Sequence, residues 1–373
     1  MPTCLEGLKI VEFSENLHAT AIGGRLLAEL GAAVVKVEIG DPDPLRNRPP
    51  FFGGTDSGYT FSAVNMGKKF VYSESMNEHI SALLKDADAV LVDVPLMRRK
   101  GLFEQVTQIT DRQIICCVSP FGLTGPKSHY VSSDFIIQAA SGIMDTTGYV
   151  GGTPMQVGVQ LTEYIGGLFT VIGVLGALSY RASHDCGQTL DLSLQDTAVT
   201  YLSTFAPHVW LMGHKPTRMG GQHPIAVPWN IYKTQDGNVT ICALADKMWA
   251  NLISVMGMSD ELGGEEYATQ AGRSENRLKL DTIVAKWVAG KKTQEVVDLL
   301  ESADIPVAII QTVQTLLKDE QFIFRGMVRS VPGSGAGELV FPGSIYTLSE
   351  CPGKVASFGV SIGEHNKEFG MES

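Results

Sequence analysis

Short apolar runs alternate with amphipathic stretches along residues 8–118, and that alternation leaves few folds open. Leu8-Lys9-Ile10-Val11-Glu12-Phe13 is followed by a helical pattern at Gly23-Gly24-Arg25-Leu26-Leu27-Ala28-Glu29-Leu30 and by a second run, Ala33-Val34-Val35-Lys36-Val37. Strand and helix periodicities in that order make a βαβ unit. Helical patterns at 79–85 and 102–107 then lead into strand-like runs at 89–92 and 114–118. Repeated alternation of this kind predicts an α/β domain whose parallel sheet is covered on both faces. The segment 41–58, rich in Pro, Gly and Arg, follows the carboxyl end of the second strand, the side on which open α/β sheets bind ligands.

From Asp134 the pattern turns helical and apolar, is interrupted by glycines at 148–152, and runs to about Tyr201. The large domain is read as residues 1–205. Between Trp229 and Ala308 the composition shifts to short strands, as around 238–242, and charged amphipathic helices, as at 293–300. This predicts a smaller α+β domain over 225–315. Residues 316–373, broken by Pro and Gly turns, return to the large domain or extend over a partner. The longest apolar stretch, 165–178, falls short of the ~20 residues needed to span a bilayer and reads as a core helix, so no membrane role is expected.

A net charge of −11 and the lack of a basic stripe argue against nucleic acid as a partner, because binding a phosphate backbone requires clustered Lys and Arg. The six cysteines are scattered without C-x-x-C spacing, which predicts neither a disulfide framework nor a zinc site, and points to a reducing compartment. Met1-Pro2-Thr3-Cys4-Leu5-Glu6 has no charged region leading into an apolar one, so no export signal is expected and a cytoplasmic location follows. His208, His214 and His223 are spaced by six and nine residues without a supporting carboxylate, and no metal site is expected there.

Further segments carry more information in their order than singly. They are Gly7-Leu8-Lys9-Ile10-Val11-Glu12, Leu30-Gly31-Ala32-Ala33-Val34-Val35-Lys36-Val37-Glu38, Asn65-Met66-Gly67-Lys68-Lys69, Ser119-Pro120-Phe121-Gly122-Leu123-Thr124-Gly125-Pro126, Gly187-Gln188-Thr189-Leu190-Asp191, Gly326-Met327-Val328 and Gly363-Glu364-His365. Taken in order, they resemble the family III CoA-transferases, the group of formyl-CoA and carnitine CoA-transferases to which the α-methylacyl-CoA racemases are related. The resemblance implies a Rossmann-like large domain, a smaller domain joined by long linkers, and two subunits forming an interlocked dimer. It implies coenzyme A and acyl-CoA as substrates together with a carboxylic acid, and no permanently bound cofactor.

The resemblance also suggests roles for individual residues. The nucleophile of such enzymes is an aspartate opening a glycine-rich helix, and the matching run here is Gly158-Val159-Gln160-Leu161-Thr162-Glu163-Tyr164-Ile165-Gly166-Gly167, which puts Glu163 at that position. A carboxylate there attacks the thioester carbonyl, forms a mixed anhydride and releases CoA. His18 and Ala19 stand where a substrate-contacting Ala-Gly-Pro run is usual. Asn65, Lys68 and Lys69 fall in the CoA phosphate region, although the same residues suit a solvated turn. Arg98, Arg99 and Lys100 read either as phosphate grips or as a basic turn. Phe121, Gly122, Thr124, Gly125 and Lys127 form a glycine loop after a buried strand, where backbone N–H groups can face the coenzyme. Gly220 and Gly221 match a loop that approaches the active site.

Two functional classes follow. In one, the chain is a non-catalytic subunit paired with a homologous catalytic chain, as in benzylsuccinate CoA-transferase, because Glu163 replaces aspartate. In the other, it is a self-sufficient homodimer that uses Glu163. Racemisation needs a histidine and an aspartate as an acid/base pair. Ser133 and Glu163 occupy those places, and His129 reads as a surface loop residue, so racemisation is disfavoured.

Overall fold

The computed structural model describes residues 3–371 apart from 17, 52–57, 109, 214–216, 225, 333–337 and 354–360. His214 and the side chain of His208 lie outside the described residues. The chain divides into two units, and residues 3–144, 156–213 and 320–371 make up the described part of the first.

In chain order the first unit runs β1 (Lys9–Phe13), α1 (Ala19–Glu29), β2 (Ala33–Ile39), α2 (Tyr59–Val64), β3 (Lys69–Ser73), α3 (Glu78–Asp86), β4 (Ala89–Asp93), α4 (Val94–Arg99), α5 (Phe103–Val106), β5 (Ile114–Ser119), α6 (Asp134–Ala140), α7 (Ile143–Thr146), α8 (Leu161–His184) and β6 (Gln188–Ser193). The six strands pair in parallel in the order β3-β2-β1-β4-β5-β6. The order reverses between β1 and β4, the point at whose carboxyl ends open α/β sheets bind ligands. Side chains alternate across the pleat. Ile10, Val34, Leu91, Ile114 and Cys116 face α1 and α8, while Val11, Val35, Val90, Val92 and Ile115 face α3 and α4. Burial on both faces is why these strands read as continuous apolar runs.

Two strands escape the periodicity reading. β3 begins at Lys69, the last residue of the run read as either a phosphate contact or a solvated turn, and only its middle is buried. β6 is an edge strand whose first half is exposed, so only Leu192 and Ser193 at its end are buried. The exposed side of β3 is covered by the chain's end: Phe70 and Tyr72 donate their N–H groups to His365 Nδ1 (3.2 Å) and Asn366 Oδ1 (3.0 Å), and Asn366 Nδ2 returns a bond to Tyr72 O (3.0 Å). Capping an edge in this way removes a template for stray strand pairing.

The core helix is longer than the apolar stretch suggested. α8 has 24 residues, enough by length and composition to cross a membrane, and half of its most apolar window is buried inside the protein. It lies flush against α1 because glycines meet there. A Cβ on Gly167 would fall 2.5 Å from Ile22 Cγ2, and one on Gly23 would fall 2.6 Å from Thr170 Cγ2.

Residues 145–155 and 216–319 form the second unit. Its antiparallel sheet joins β7 (Trp229–Lys233), β8 (Asn238–Cys242) and β9 (Val307–Ile309), and helices 246–255, 277–289 and 293–301 close a core around Trp249, Leu280 and Val296. The glycine-rich stretch 148–152 was expected within the large domain and instead packs in this unit. Arg218 holds it, donating to Gly152 O (3.0 Å) and to Asp145 O (3.0 Å).

The cysteine expectation needs correction as well. Cys4 and Cys351 form a disulfide with a Cα–Cα separation of 5.6 Å, although 347 residues separate them in sequence. Spacing could not show this, because only the fold brings the two ends of the chain together.

Candidate active site

The N-terminus of α8 is capped from another helix. Its own N-cap residue, Gln160, makes no side-chain capping bond. Asp134 of α6 does this instead: Oδ1 accepts the Thr162 N–H (2.7 Å), the Thr162 hydroxyl (2.6 Å) and, more distantly, the Glu163 N–H (3.4 Å), while Oδ2 accepts from Gln138 Nε2 (2.6 Å). A carboxylate on the first-turn N–H groups satisfies their unpaired donors and complements the helix dipole.

Glu163 therefore leaves the first turn of α8 with its backbone fixed. Its side chain is 7% exposed, and Oε2 accepts the N–H of Ala19 at 2.8 Å. Ala19 is the first residue of α1. One carboxylate thus sits at the positive ends of two helices, the first turn of its own and the first N–H of the other. The Gly-Gly contacts between α1 and α8 allow the approach, and Ala19 itself presses on Gly166, where a Cβ would fall 2.8 Å from Ala19 Cβ.

Beside this carboxylate stands His18, the N-cap of α1. Its Nδ1 accepts the Thr20 N–H (3.3 Å), lies 3.0 Å from Thr20 Oγ1 and is 3.9 Å from Asp93 Oδ2. Asp93 closes β4, is 6% exposed, and caps α4 through the Leu96 N–H (3.0 Å). Burial alone would lower the imidazole's pKa, but Asp93 and then Glu163 outweigh it and hold it above the ordinary value. Burial pushes the Glu163 carboxyl up, against the opposing pull of His18 and the Ala19 N–H. Asp93 and Asp134 were given no site role in the sequence reading. The available signal was position: an acidic residue at the carboxyl end of a buried strand, and another directly after Ser133.

The remaining expected residues fall into different places. Asn65 and Lys68 are corrected from phosphate ligands to internal residues. Lys68 Nζ is fully buried and donates to Glu12 Oε1, Ala21 O and Asn65 Oδ1, each at 2.8 Å, so no donor is left to face solvent. Lys69 stays near the surface, paired with Glu368. Arg99 pairs with Glu15 (2.8 Å), and Lys100 donates to Ile39 O (2.5 Å). Arg98 joins the glycine loop: it donates to Ser128 O (3.0 Å) and Leu123 O (3.3 Å), bracing the segment that carries Phe121, Gly122, Thr124, Gly125 and Lys127. Gly122 and Gly125 both have φ of 91°, a conformation that favours glycine. Lys127 Nζ lies 5.9 Å from the centre of the Phe121 ring. Gly220 and Gly221 belong to the second unit, where Gly220 donates to Gly148 O (2.9 Å). His129 meets Tyr130 edge-on, and His223 stacks on Trp229. No cluster of metal-ligating side chains occurs among the described residues.

Comparison with known proteins identifies the family and the fold. The model of CoA-transferase family III matches residues 5–366. The succinyl-CoA–D-citramalate CoA-transferase of Chloroflexus aurantiacus is 29% identical over 99% of this chain and 93% of its own length. The succinate–glutarate CoA-transferase of Agrobacterium fabrum is 26% identical over 98% and 94%. A solved CAIB/BAIF family protein from Brucella suis superposes with a TM-score of 0.86 at 30% identity, covering 99% of this chain and 98% of that one. The chain belongs to CoA-transferase family III.

Proposed function

We propose that Glu163 is the carboxylate that accepts the acyl group, and that the chain is a catalytic CoA-transferase subunit moving CoA between an acyl-CoA and a carboxylic acid. The reading is carried by the Ala19 N–H bond to Glu163 at 2.8 Å, which holds the side chain at the switch point of the sheet. A Glu163 oxygen adds to the thioester carbonyl, the C–S bond of the tetrahedral adduct breaks, and CoA leaves as thiolate, which makes a mixed anhydride of Glu163 and the acyl group. The acceptor carboxylate displaces the first acid from the anhydride, and the CoA thiolate then attacks the new acyl carbonyl and releases the Glu163 carboxylate. The two helix N-termini stabilise the charged carboxylate while its water shell is stripped, and His18, beside both Glu163 and Asp93, lowers the cost of burying it. The glycine loop 121–127, braced by Arg98, offers N–H groups and Lys127 to the coenzyme. Relatives named for succinyl-CoA make it the first donor to test, with short dicarboxylates as acceptors.

The partner is a second copy or a homologous chain in an interlocked pair, in the cytoplasm. Exposure of Trp210 (81%) and Leu211 (84%) on helix 206–212 supports a covering subunit. A second reading, the non-catalytic subunit, is favoured by the extra methylene of Glu163 and by likeness to a protein named as the alpha subunit of a succinyl-CoA–L-malate CoA-transferase, 29% identical over 98% of this chain. Purified chain is incubated with succinyl-CoA and labelled dicarboxylates. Exchange by the chain alone, lost in Glu163→Gln, supports the first reading. Exchange only with an added homologous chain, unaffected by Glu163→Gln, selects the second.

A further inference from the structure

Beneath α1 lies a cluster of charges that takes no part in the site described above. Glu12 of β1, Lys36 of β2, Asp43 and Lys68 are all buried. Lys36 Nζ is 2.9 Å from Asp43 Oδ2 and donates to Ser14 O (2.6 Å) and Ser14 Oγ (2.9 Å). Ser14 Oγ in turn donates to Glu12 Oε1 (2.6 Å), and both Glu12 oxygens lie 2.8 Å from Lys68 Nζ. Farther out, Glu38 pairs with Arg46 at 2.7 Å and accepts the Asp43 N–H at 2.8 Å. Buried ion pairs of this kind give little stability over a well-packed apolar core, so their presence calls for another reason.

The reason lies in what the pair supports. Lys68 donates to the carbonyl of Ala21, in the first turn of α1 and two residues beyond the N–H that holds Glu163. One turn later, Gly24 rests directly on the pair: a Cβ there would fall 1.7 Å from Glu12 Oε2 and 3.3 Å from Lys68 Cε. Any side chain at residue 24 would lift α1 off the charges. We propose that Lys68, seated on Glu12, is a positioning residue for acyl transfer, fixing the first turn of α1 and with it the Ala19 N–H against the Glu163 carboxylate. This rests on the reading of Glu163 given above.

The protonation of Lys68 bears on the same point. Its ammonium is pulled down to about 8, by burial first and also by Lys36, against Glu12 and Asp43, which raise it. Loss of that proton leaves Glu12 buried beside a neutral amine and slackens the support. Acyl transfer therefore falls on the alkaline side as Lys68 deprotonates.

The test compares wild type, Lys68→Met, Lys68→Arg and Glu12→Gln as full chains, with a partner subunit if activity needs one, using succinyl-CoA and a dicarboxylate from pH 6 to 9. Lys68→Met should lower kcat on the order of a hundredfold, as expected for a misplacement of about 1 Å, and leave KM within a few-fold. Lys68→Arg should recover much of kcat and move the alkaline limb upward, since guanidinium stays charged. Glu12→Gln should move that limb downward, because the group that raises Lys68 is gone. Folded Lys68→Met with wild-type kcat, or an alkaline limb unmoved by both charge variants, overturns the proposal. If wild type shows no exchange, the functional reading fails by itself and amide hydrogen exchange decides the support: Ala19 should lose at least about tenfold of its protection in Lys68→Met without global unfolding. Unchanged protection overturns it. If Lys68→Met does not fold, the same measurement on Glu12→Gln decides.

Discussion

The backbone N–H of Ala19 donates to Glu163 Oε2 at 2.8 Å across 144 residues of sequence, so the starts of α1 and α8 converge on one side chain. The bond is specific in length. A side chain one methylene shorter, leaving the same α-carbon, would not reach that N–H without a shift of backbone.

Glu163→Asp separates two histories for the site. If the surroundings have adapted to glutamate, the aspartate variant loses on the order of a hundredfold in kcat, the cost of moving the attacking oxygen by about 1 Å. Glu163→Gln, which keeps the shape and the Ala19 bond but removes the charge of the proposed nucleophile, should lose on the order of 10⁴-fold or more. Steady-state kinetics with mass detection of acyl-CoA measures both. A gain in kcat for Glu163→Asp would mean that the site is an aspartate site decayed by substitution.

Two glycines of α8, one packed against α1 and one in open space, give opposite signs along one helix. Gly167→Ala puts a methyl 2.5 Å from Ile22 Cγ2 and should destabilise by about 1–3 kcal/mol, as overpacking does, while weakening the Ala19 contact. Gly176→Ala, on the same helix with nothing within 4 Å, should stabilise by roughly 0.5–1 kcal/mol through helix propensity. Thermal melts of the two variants should move in opposite directions, and parallel shifts would refute this account of the packing.

His18 gives stability a signed pH dependence. Its folded pKa is raised above the ordinary 6.5, so its contribution is fully present below pH 6.5 and is lost as pH rises through the folded value. Glu163, also raised, acts in the same sense from 4.5 upward. The stability difference between wild type and His18→Gln should therefore shrink between pH 6 and 9. Denaturant titrations across that range measure it, and a difference that grows with pH contradicts the assignment.

How far the sequence revealed this arrangement depends on which forces set each part. β1, β2, β4 and β5 were legible because burial on both faces makes their residues uniformly apolar. β3 and β6 sit at the two sheet edges and are only partly buried, so the apolar signal weakens. Glu163 was singled out by the resemblance of the run 158–167 to the family's motif. Asp134 and Asp93 were not, since capping the start of α8 from α6 is a tertiary fact with no local pattern. Lys68 looked like a surface cation beside Lys69 because composition cannot tell an ammonium aimed outward from one aimed at Glu12. Cys4 and Cys351 looked unpaired for the related reason that spacing says nothing about chain ends brought together by a fold.

That pairing is itself open to measurement. In the chain-entropy account a cross-link stabilises by restricting the unfolded chain, more so for long loops, and one enclosing nearly the whole sequence lies near the upper end of the usual range, about 5 kcal/mol. Cys351→Ser should lower Tm when wild type is purified under oxidising conditions and leave it unchanged when both proteins are kept in a thiol reductant. Buried Cys116 and Cys117, whose thiol pKa values burial pushes well up, should stay unreactive in both states and serve as the internal control. Peptide mapping of the oxidised protein should return residues 4 and 351 in one cross-linked fragment. Recovery of both as free thiols would show that the ends of the chain are held by packing alone.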